Sequence, residues 1–450
     1  MAGQTTAVIG PDIAGIVRPW HALLITPGLF LQGFDGPLGQ ATACLLASVV
    51  LAILAITHHA PYHYWRRFLP ALALLTLAMA WLIAVGVVRW LSSGADSNLP
   101  LAPDLFLPKM LGTLAGVWAL LVGILCARRP SWKLSHGDWI LIAISVHSLV
   151  GLAQFAMYLA GIVWDWNVIY RDRFAGLIGN SNVTACVCGA GCVLASGGLL
   201  ARLDGDAGER WRGLTSSMAY PLALAINVAA LMLTASRVPS LITLAAMALM
   251  IAIQFGRRRL ARQVLPALVL GGAIVVAVQS QIAAGLLGRL TTVGVDMAAR
   301  FEIWKHYARS IPAALWTGFG PGAFSSLNTL TMPSDSGRYA LWSINSAHNI
   351  VLQLLLVGGI PYFALLTGAA ALILRDVWRS PRWRGGDRTL TTLALAAGVI
   401  PAAGSIDLAL DMPGSTMLFA VLAGLAWGNA LPPPTALRPR TAPPYILPAA

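Results

Sequence analysis

Apolar runs of about 20 residues recur along nearly the whole chain and constrain its fold more than any other feature. An α-helix of that length spans the hydrocarbon core of a bilayer and satisfies its own backbone hydrogen bonds there. Hydrophobic residues make up 57% of the 450 residues and charged residues only 10%, against about 25% charged residues in a soluble domain. The sequence therefore predicts an all-α polytopic integral membrane protein.

The apolar runs predict about twelve transmembrane helices, of which the first, about 15 residues long, is short enough to be re-entrant or interfacial. The predicted spans are 20–34, 38–57, 69–91, 105–126, 138–163, 180–200, 216–235, 239–256, 264–283, 349–374, 389–406 and 414–431. They form a single transmembrane domain over residues 1–431. The Pro-rich segment 432–450 is predicted to be a disordered cytoplasmic tail.

Basic residues are distributed unevenly between the two sets of loops that connect these spans. With the N-terminus inside, 20 of the 30 Lys and Arg residues fall in inner segments, as the positive-inside rule requires. Both termini are then cytoplasmic, and residues 284–348 form a large periplasmic loop. The formal charge of +13 follows from this bias, so we expect a lipid bilayer and not a nucleic acid as the partner.

Ten basic residues fall on the outer side, where the positive-inside rule does not explain them. They are Arg89, Lys109, Arg171, Arg173, Arg237, Arg289, Arg300, Lys305, Arg309 and Arg338. They form either a solvated rim or, in part, an anion site, because the fixed fork of guanidinium donors suits phosphate. The same side carries few acids and no Asp/Glu cluster typical of a Mg²⁺ site.

A histidine stands at the mouth of the tenth predicted span. His348 closes the polar stretch 343–349, and Gln353 follows one helical turn later. An ionisable side chain at a membrane helix is costly unless it is used, and a neutral imidazole can accept a proton. The alternative is an interfacial or capping histidine without chemistry.

Further polar segments lie between the predicted outer ends of the spans. Asn180 and Asn182 can cap the sixth span, and a helix N-terminus beside Arg171 and Arg173 is a candidate phosphate site. Capping alone explains the same residues equally well. Arg237, between two apolar runs, must reach the surface or bind something.

Two other outer segments allow more than one interpretation. The glycines of 318–322 lack the preceding strand and the following Lys-Ser/Thr of a nucleotide-binding loop, so we predict a turn. Asp407 and Asp411, between the last two spans, could orient a basic residue or an acceptor, or could only mark the turn.

In this order, the outer segments resemble the bacterial O-antigen ligase/polymerase superfamily over residues 165–430. The motifs are Arg173-x-x-Gly176-x-x-x-Asn180-x-Asn182, Ser236-Arg237, Arg300-x-x-x-Trp304, Gly318-x-Gly320-x-Gly322-x-Phe324, Ala347-His348-Asn349-x-x-x-Gln353 and Ser405-x-x-Asp407-x-x-Leu410-x-x-Pro413. Val357 stands where many relatives have Glu, and Ser181 where Pro is common. These departures bear on the subfamily.

The resemblance implies a GT-C-like glycosyltransferase with a periplasmic active site and neither a cofactor nor a metal ion. The donor would be a glycan on undecaprenyl diphosphate. The acceptor would be a sugar hydroxyl of lipid A–core in an O-antigen ligase, another lipid-linked repeat in a polymerase, or Ser or Thr in a protein O-oligosaccharyltransferase. A lipid-linked glycan transporter is the alternative from another class, although the midspan regions are almost free of the charges that it would need.

The resemblance also implies roles for individual residues. His348 would be the general base, with Arg237 and Arg300 as further catalytic residues. The donor diphosphate would be bound by Arg171, Arg173, Arg237 and Arg300. The supporting residues would be Asn180, Asn182, Asn349, Glu302 and Asp407. Either Asp407 or Glu302 would orient His348 or an arginine.

Overall fold

A computed structural model describes residues 19–57, 60, 62–92, 103–128, 134–162, 173–203, 218–255, 293–332, 341, 344 and 346–431. Within these ranges the chain forms α-helices and short 3-10 turns, and no β-strand. The predicted ninth span 264–283, the tail 432–450 and Arg171 lie outside the described residues.

The structure describes nine helices before the large loop. They are α1 (Trp20–Phe30), α2 (Gly36–Thr57), α3 (Tyr62–Trp65), α4 (Leu69–Ser92), α5 (Pro103–Cys126), α6 (His136–Leu159), α7 (Ser181–Leu203), α8 (Ala219–Leu233) and α9 (Arg237–Phe255). Short 3-10 turns lie at Gln32–Phe34 and Gly176–Ile178.

The large loop and the last spans supply the remaining described helices. They are α10 (Val293–Ala308), α11 (Phe324–Thr331), α12 (Ile350–Arg379), α13 (Pro381–Arg384), α14 (Arg388–Gly404) and α15 (Pro413–Ala430), with a 3-10 turn at Ile311–Ala314.

Seven of the described helices are long and apolar enough to cross a membrane, judged by length and composition: α2, α4, α5, α6, α7, α9 and α12. The apolar helices α1 and α8 are shorter, and α14 and α15 lie along two further predicted spans. The chain is therefore a polytopic helical membrane protein, and the number of twelve spans stays a prediction.

Helix α7 is the centre of the bundle. In its apolar window 89% of the residues are buried inside the protein, against 22% in α12. Its small side chains let neighbouring helices approach closely. A Cβ on Gly189 would lie 2.2 Å from Thr243 Oγ1 of α9, and one on Gly197 would lie 2.3 Å from Thr392 Oγ1 of α14. This packing fixes the outer end of α7, which carries Asn180 and Asn182.

Facing glycines bring α5 and α15 into direct backbone contact. A Cβ on Gly123 would lie 2.4 Å from the carbonyl oxygen of Val421, and one on Gly424 would lie 2.2 Å from that of Leu120. Because no side chain fits at these points, the two helices are held at a fixed distance. The loop 405–412, which precedes α15, therefore lies beside the outer end of α5.

Helix α12 is broken at Gly359, which has φ 67° and ψ −167°. Residues of the large loop bind the backbone groups at the break: the N–H of Phe319 donates to the carbonyl of Leu356 at 2.6 Å, and that of Ile360 donates to the carbonyl of Leu315 at 2.9 Å. Irregular backbone at membrane depth is tolerated where protein groups satisfy it in this way. The large loop is thereby anchored to α12.

The glycine-rich segment of the large loop is a turn, as predicted. Gly318, Gly320 and Gly322 have positive φ values of 65°, 98° and 82°, which L side chains rarely adopt. Arg89, near the end of α4, donates to the carbonyl of Gly318 at 2.8 Å and to the hydroxyl of Thr317 at 3.0 Å. This turn therefore ties the loop to a second helix.

Three contacts between described loops join segments that were predicted to lie on the same side of the membrane. Contacts from Asp407 to Asn182 and Arg300 join segments that were all predicted to be outer. The bond from Arg382 to the carbonyl of Asn429, at 2.9 Å, joins two segments predicted to be inner. The predicted outer segments thus meet at one end of the bundle.

Candidate active site

A buried aspartate lies where the outer segments meet. Asp407, only 6% exposed, belongs to the loop between α14 and α15. Its Oδ1 lies 3.1 Å from His348 Nδ1, and its Oδ2 lies 2.9 Å from a terminal nitrogen of Arg300. Asn182 Nδ2 also donates to Oδ2. Three of the predicted site residues therefore bind a single carboxylate.

The partners of Asp407 keep its carboxylate ionised. Burial alone would raise the pKa of Asp407. The hydrogen bond from His348, the positive charge of Arg300 and the backbone N–H of Leu408, at 2.8 Å, outweigh burial and hold that pKa below its ordinary value. The site therefore holds an ionised carboxylate between an imidazole and a guanidinium group.

The backbone and ring of His348 are both held in place. Its φ of 49° lies in the left-handed region, which is uncommon for a residue with a side chain. Trp304 Nε1 donates to its carbonyl at 3.2 Å, and its own N–H donates to Ser346 Oγ at 3.3 Å. Because Nδ1 faces the ionised Asp407 it carries a proton, and in the neutral imidazole the lone pair is then on Nε2, which bonds to no described residue.

Asn349 begins α12 and connects it to the loop that carries Asp407. Its Oδ1 accepts from the N–H groups of Val351 and Leu352 at 3.0 and 3.1 Å, which makes it the N-cap. Its Nδ2 donates to the carbonyl of Ser405 at 3.0 Å. One side chain therefore sets both the start of the helix and the position of the neighbouring loop.

The two asparagines at the start of α7 have different partners. Asn180 Oδ1 accepts from the N–H groups of Asn182 and Val183 at 3.0 and 3.1 Å, so the predicted capping is confirmed for Asn180. Asn182 Oδ1 accepts from Ser236 Oγ at 2.7 Å, while its Nδ2 donates to Asp407. Asn182 thus links α7, the turn before α9 and the loop of Asp407.

Arg237 and Arg173 lie next in the chain to residues that contact the cluster or the adjoining end of α8. Arg237, the first residue of α9, directly follows Ser236. The N–H of Phe174, the neighbour of Arg173, donates to the carbonyl of Leu233, the last residue of α8, at 3.1 Å. Both arginines are half-buried, and neither bonds to another residue that the structure describes. Their donors are therefore not committed to described protein groups.

Arg300 differs from the other two arginines because it already binds protein groups. It donates to Asp407 and to the carbonyl of Ile406, and its side chain is 24% exposed. A guanidinium group has five N–H donors, so Arg300 retains some for a ligand. It can contact Asp407 and an anion at the same time.

Glu302 lies outside the cluster. Its side chain is 72% exposed, and its ion-pair partner is Lys305, 3.8 Å away on the same helix. Of the two acids that the sequence offered for orienting His348 or an arginine, Asp407 is the one that contacts both. Arg171, the fourth predicted diphosphate ligand, is outside the described residues.

Trp304, Ser236 and Ser346 also bond to the cluster, although none of them was a predicted site residue. Trp304 follows Arg300 by four residues, which places both on one face of α10. That spacing could be read from the sequence as a sign that Trp304 lies beside Arg300. Ser236 belongs to the Ser236-Arg237 motif, but no local pattern predicts the partners of Ser236 and Ser346, because their bonds depend on how distant segments pack.

Within the described ranges, no group of three or more His, Cys, Asp or Glu side chains could hold a metal ion. The cationic group in contact with the His348–Asp407 pair there is the guanidinium group of Arg300.

Residues 222–367 match the family model described as O-antigen ligase, Wzy_C. The match contains Arg237, Arg300 and His348 and covers about a third of the chain. Over this segment the chain is similar to the O-antigen ligase family, in agreement with the resemblance of its outer segments. No curated protein matches it. Asn182 and Asp407 bond to residues of the matched segment but lie outside it in the chain, so the candidate site extends beyond residues 222–367.

Proposed function

We propose that this protein is an O-antigen ligase that transfers a glycan from undecaprenyl diphosphate to a sugar hydroxyl of lipid A–core. The observation that carries the proposal is the cluster in which Asp407 holds both His348 Nδ1 and Arg300. Outside the cytoplasm a lipid-linked diphosphate is an available activated donor, whereas nucleotide sugars and ATP are not. The arrangement supplies the two groups that this chemistry needs, a base and cations.

In the proposed reaction, His348 Nε2 removes the proton of the acceptor hydroxyl as its oxygen attacks the anomeric carbon of the donor. The bond from that carbon to the diphosphate oxygen breaks, and undecaprenyl diphosphate leaves with the bonding electrons. The imidazolium formed on His348 is stabilised by Asp407. The proton is then released from His348 to solvent or to the departing diphosphate.

The arginines would bind the leaving diphosphate. Arg173 and Arg237 have donors that no described residue uses, and Arg300 retains some, while Arg171 would add a fourth cation. Guanidinium groups already in place stabilise the negative charge that grows on the diphosphate as the bond breaks. In this proposal no metal ion or cofactor is required.

The site would face the periplasm, with both termini in the cytoplasm of the cell and the chain in the inner membrane. The excess of Lys and Arg in the opposite set of loops supports this orientation. A polytopic helical chain with its site at the periplasmic surface of the inner membrane would also agree with a GT-C-like architecture. A lipid donor could then enter the site from the bilayer.

A ligation assay with purified lipid-linked donor and lipid A–core tests the base assignment. Replacing His348→Ala should lower turnover by about 100-fold or more, since a general base contributes 10²–10⁴-fold. His306→Ala, another histidine of the large loop, should change turnover little. Near-normal turnover of His348→Ala would show that the base is another group.

The same assay tests recognition of the diphosphate. Arg237→Lys keeps the charge but loses the bidentate fork, so turnover should fall about tenfold or more. Arg309→Lys, at an exposed position of the large loop, is the control. Equal activity of Arg237→Lys and wild type would exclude bidentate binding there. Longer glycan chains formed from donor alone would instead identify a polymerase.

A further inference from the structure

A second carboxylate lies beside His348, and the mechanism above does not use it. Asp411, four residues after Asp407, is half-buried in the same loop. The Ser346 side chain interacts with the Asp411 carboxyl, and its hydroxyl accepts the backbone N–H of His348 at 3.3 Å. Asp411 is therefore connected to the His348 segment through one buried serine.

The outer end of α5 forms the opposite side of this carboxylate. A Cβ on Gly112 would lie 3.4 Å from Pro413 Cγ, so α5 packs directly against the residues that follow Asp411. Lys109 lies nearly one turn further out on α5, and its charge acts on the Asp411 carboxylate. The described residues show no direct ion pair between the two, so both retain capacity for a ligand.

A buried amide lies below Lys109 and Asp411. Gln40 of α2 is only 3% exposed, and its Oε1 has no hydrogen-bond partner among the described residues. That oxygen lies 3.5 Å from the position of a Cβ on Gly112, next to Pro413. Buried polar atoms are normally paired, so this acceptor can receive a hydrogen bond from a ligand.

These side chains differ in charge from the arginine side of the cluster. A carboxylate repels a diphosphate, whereas Arg173, Arg237 and Arg300 attract it. The acceptor oxygens of Asp411 and Gln40 instead require hydrogen-bond donors, and a glycan presents many hydroxyl groups. The donor diphosphate and a neutral, hydroxyl-rich ligand would therefore occupy different sides of His348.

We propose that Asp411, Lys109 and Gln40 form the acceptor subsite, which binds hydroxyl groups of the acceptor glycan next to His348. This subsite rests on the proposed function, because it gives the transferase its second substrate. Asp411 and Gln40 accept hydrogen bonds from the sugar hydroxyls. Lys109 donates to a sugar oxygen and keeps the carboxylate ionised.

The titration of Asp411 gives the subsite a pH signature. Burial raises the pKa of Asp411, and the charge of Asp407 raises it further. The bond from Ser346 and the charges of Lys109 and His348 oppose this rise without cancelling it. Asp411 therefore protonates at a higher pH than Asp407, and the acceptor KM should rise in mild acid while the Asp407 cluster is still ionised.

Steady-state kinetics with each substrate varied in turn tests the subsite. Asp411→Asn should raise the KM for lipid A–core about tenfold, as expected for loss of a charged hydrogen bond. The donor KM and kcat at saturating acceptor should stay within about twofold. Asp104→Asn, an exposed carboxylate on the same helix as Lys109, is the matched control. An unchanged acceptor KM, or equal changes in both KM values, would overturn the subsite.

Binding of acceptor without donor separates the subsite from the base assignment. Wild type and His348→Ala should bind lipid A–core alike, whereas Asp411→Asn and Lys109→Met should bind it about tenfold more weakly. Thermal unfolding of each variant checks that it is folded. If His348→Ala turns over normally but Asp411→Asn loses acceptor binding, the base is wrong and the subsite stands. Normal binding by folded Asp411→Asn refutes the subsite even if His348→Ala is inactive.

The choice of acceptor does not alter this test. If wild type consumes the lipid-linked glycan itself as acceptor instead of lipid A–core, the same titrations are made with that glycan. A rise in its KM as acceptor supports the subsite in a polymerase, and an unchanged KM refutes it.

Discussion

At the scale of single residues, Asp407 determines the geometry of the site. It contacts Asn182, Arg300 and His348, which come from three segments far apart in the chain. A carboxylate accepts several hydrogen bonds at once, so it can hold an imidazole and a guanidinium group side by side. In the proposed reaction, His348 can therefore act on the acceptor hydroxyl while the arginines act on the leaving diphosphate.

The Asp407→Asn substitution should show whether turnover depends on the orientation of His348 and Arg300 and not only on their presence. The amide keeps the shape of the carboxylate but leaves Arg300 and His348 without a counter-charge. We expect turnover to fall about 100-fold or more, since an orienting carboxylate fixes the tautomer of a catalytic histidine. Ligation kinetics of folded protein measure the change, and turnover within about threefold of wild type would mean that Asp407 is only structural.

The lowered pKa of Asp407 predicts how the contribution of this residue to the stability of the fold depends on pH. A group whose pKa is lower in the folded than in the unfolded chain stabilises the fold above its ordinary pKa, and this is lost as pH falls through the lowered value. The difference in melting temperature between wild type and Asp407→Asn should therefore stay constant from neutral pH down to about pH 4 and shrink below it. A difference that disappears already near pH 6 would contradict the ion pairs described for Asp407.

At the scale of helices, the position of the site depends on how α6, α7 and α8 pack. Asn227 of α8 is fully buried; its Nδ2 donates to Ser145 Oγ at 2.9 Å, and its Oδ1 accepts from Ser148 Oγ at 2.9 Å. A Cβ on Gly191 of α7 would lie 2.8 Å from Asn227 Oδ1. The glycine of α7 thus makes room for a polar contact between α6 and α8.

Asn227→Ala should destabilise the bundle without touching the site. It removes bonds between helices that are worth about 0.6 kcal/mol each on average in membranes, and it leaves two serines with fewer partners. We expect a lower melting temperature in detergent or in nanodiscs. Leu222→Ala, which removes a 60% exposed side chain from the same helix, is the control and should change the melting temperature less. Equal falls in melting temperature for the two variants would show that the hydrogen bonds of Asn227 add no stability beyond packing.

At the scale of the whole molecule, the outer segments converge because the large loop is tied to the bundle at several points. The turn 318–322 binds Arg89, the break in α12 binds residues 315–319, and α10 supplies Arg300 and Trp304 to the cluster. The loop is therefore part of the site and not an appended domain.

Cysteine labelling tests the orientation of the two loop sets. All five native cysteines are buried, so intact cells should give a low background with a membrane-impermeant maleimide. Ser325→Cys, at an exposed position of α11, should react from the periplasm, and Arg379→Cys, exposed at the end of α12, should react only after permeabilisation. The reverse pattern would place the candidate site in the cytoplasm and rule out the proposed donor.

The sequence by itself determined that the chain is helical and crosses the membrane, because hydropathy acts over each run of neighbouring residues. It also identified His348, Arg237 and Arg300 as residue types suited to the chemistry. Only the tertiary structure decided that Asp407 and not Glu302 joins them, and that Asn180 caps α7 whereas Asn182 enters the cluster. Those choices depend on contacts between segments that lie up to 225 residues apart in the chain, and helix packing, which no local pattern records, brings those segments together.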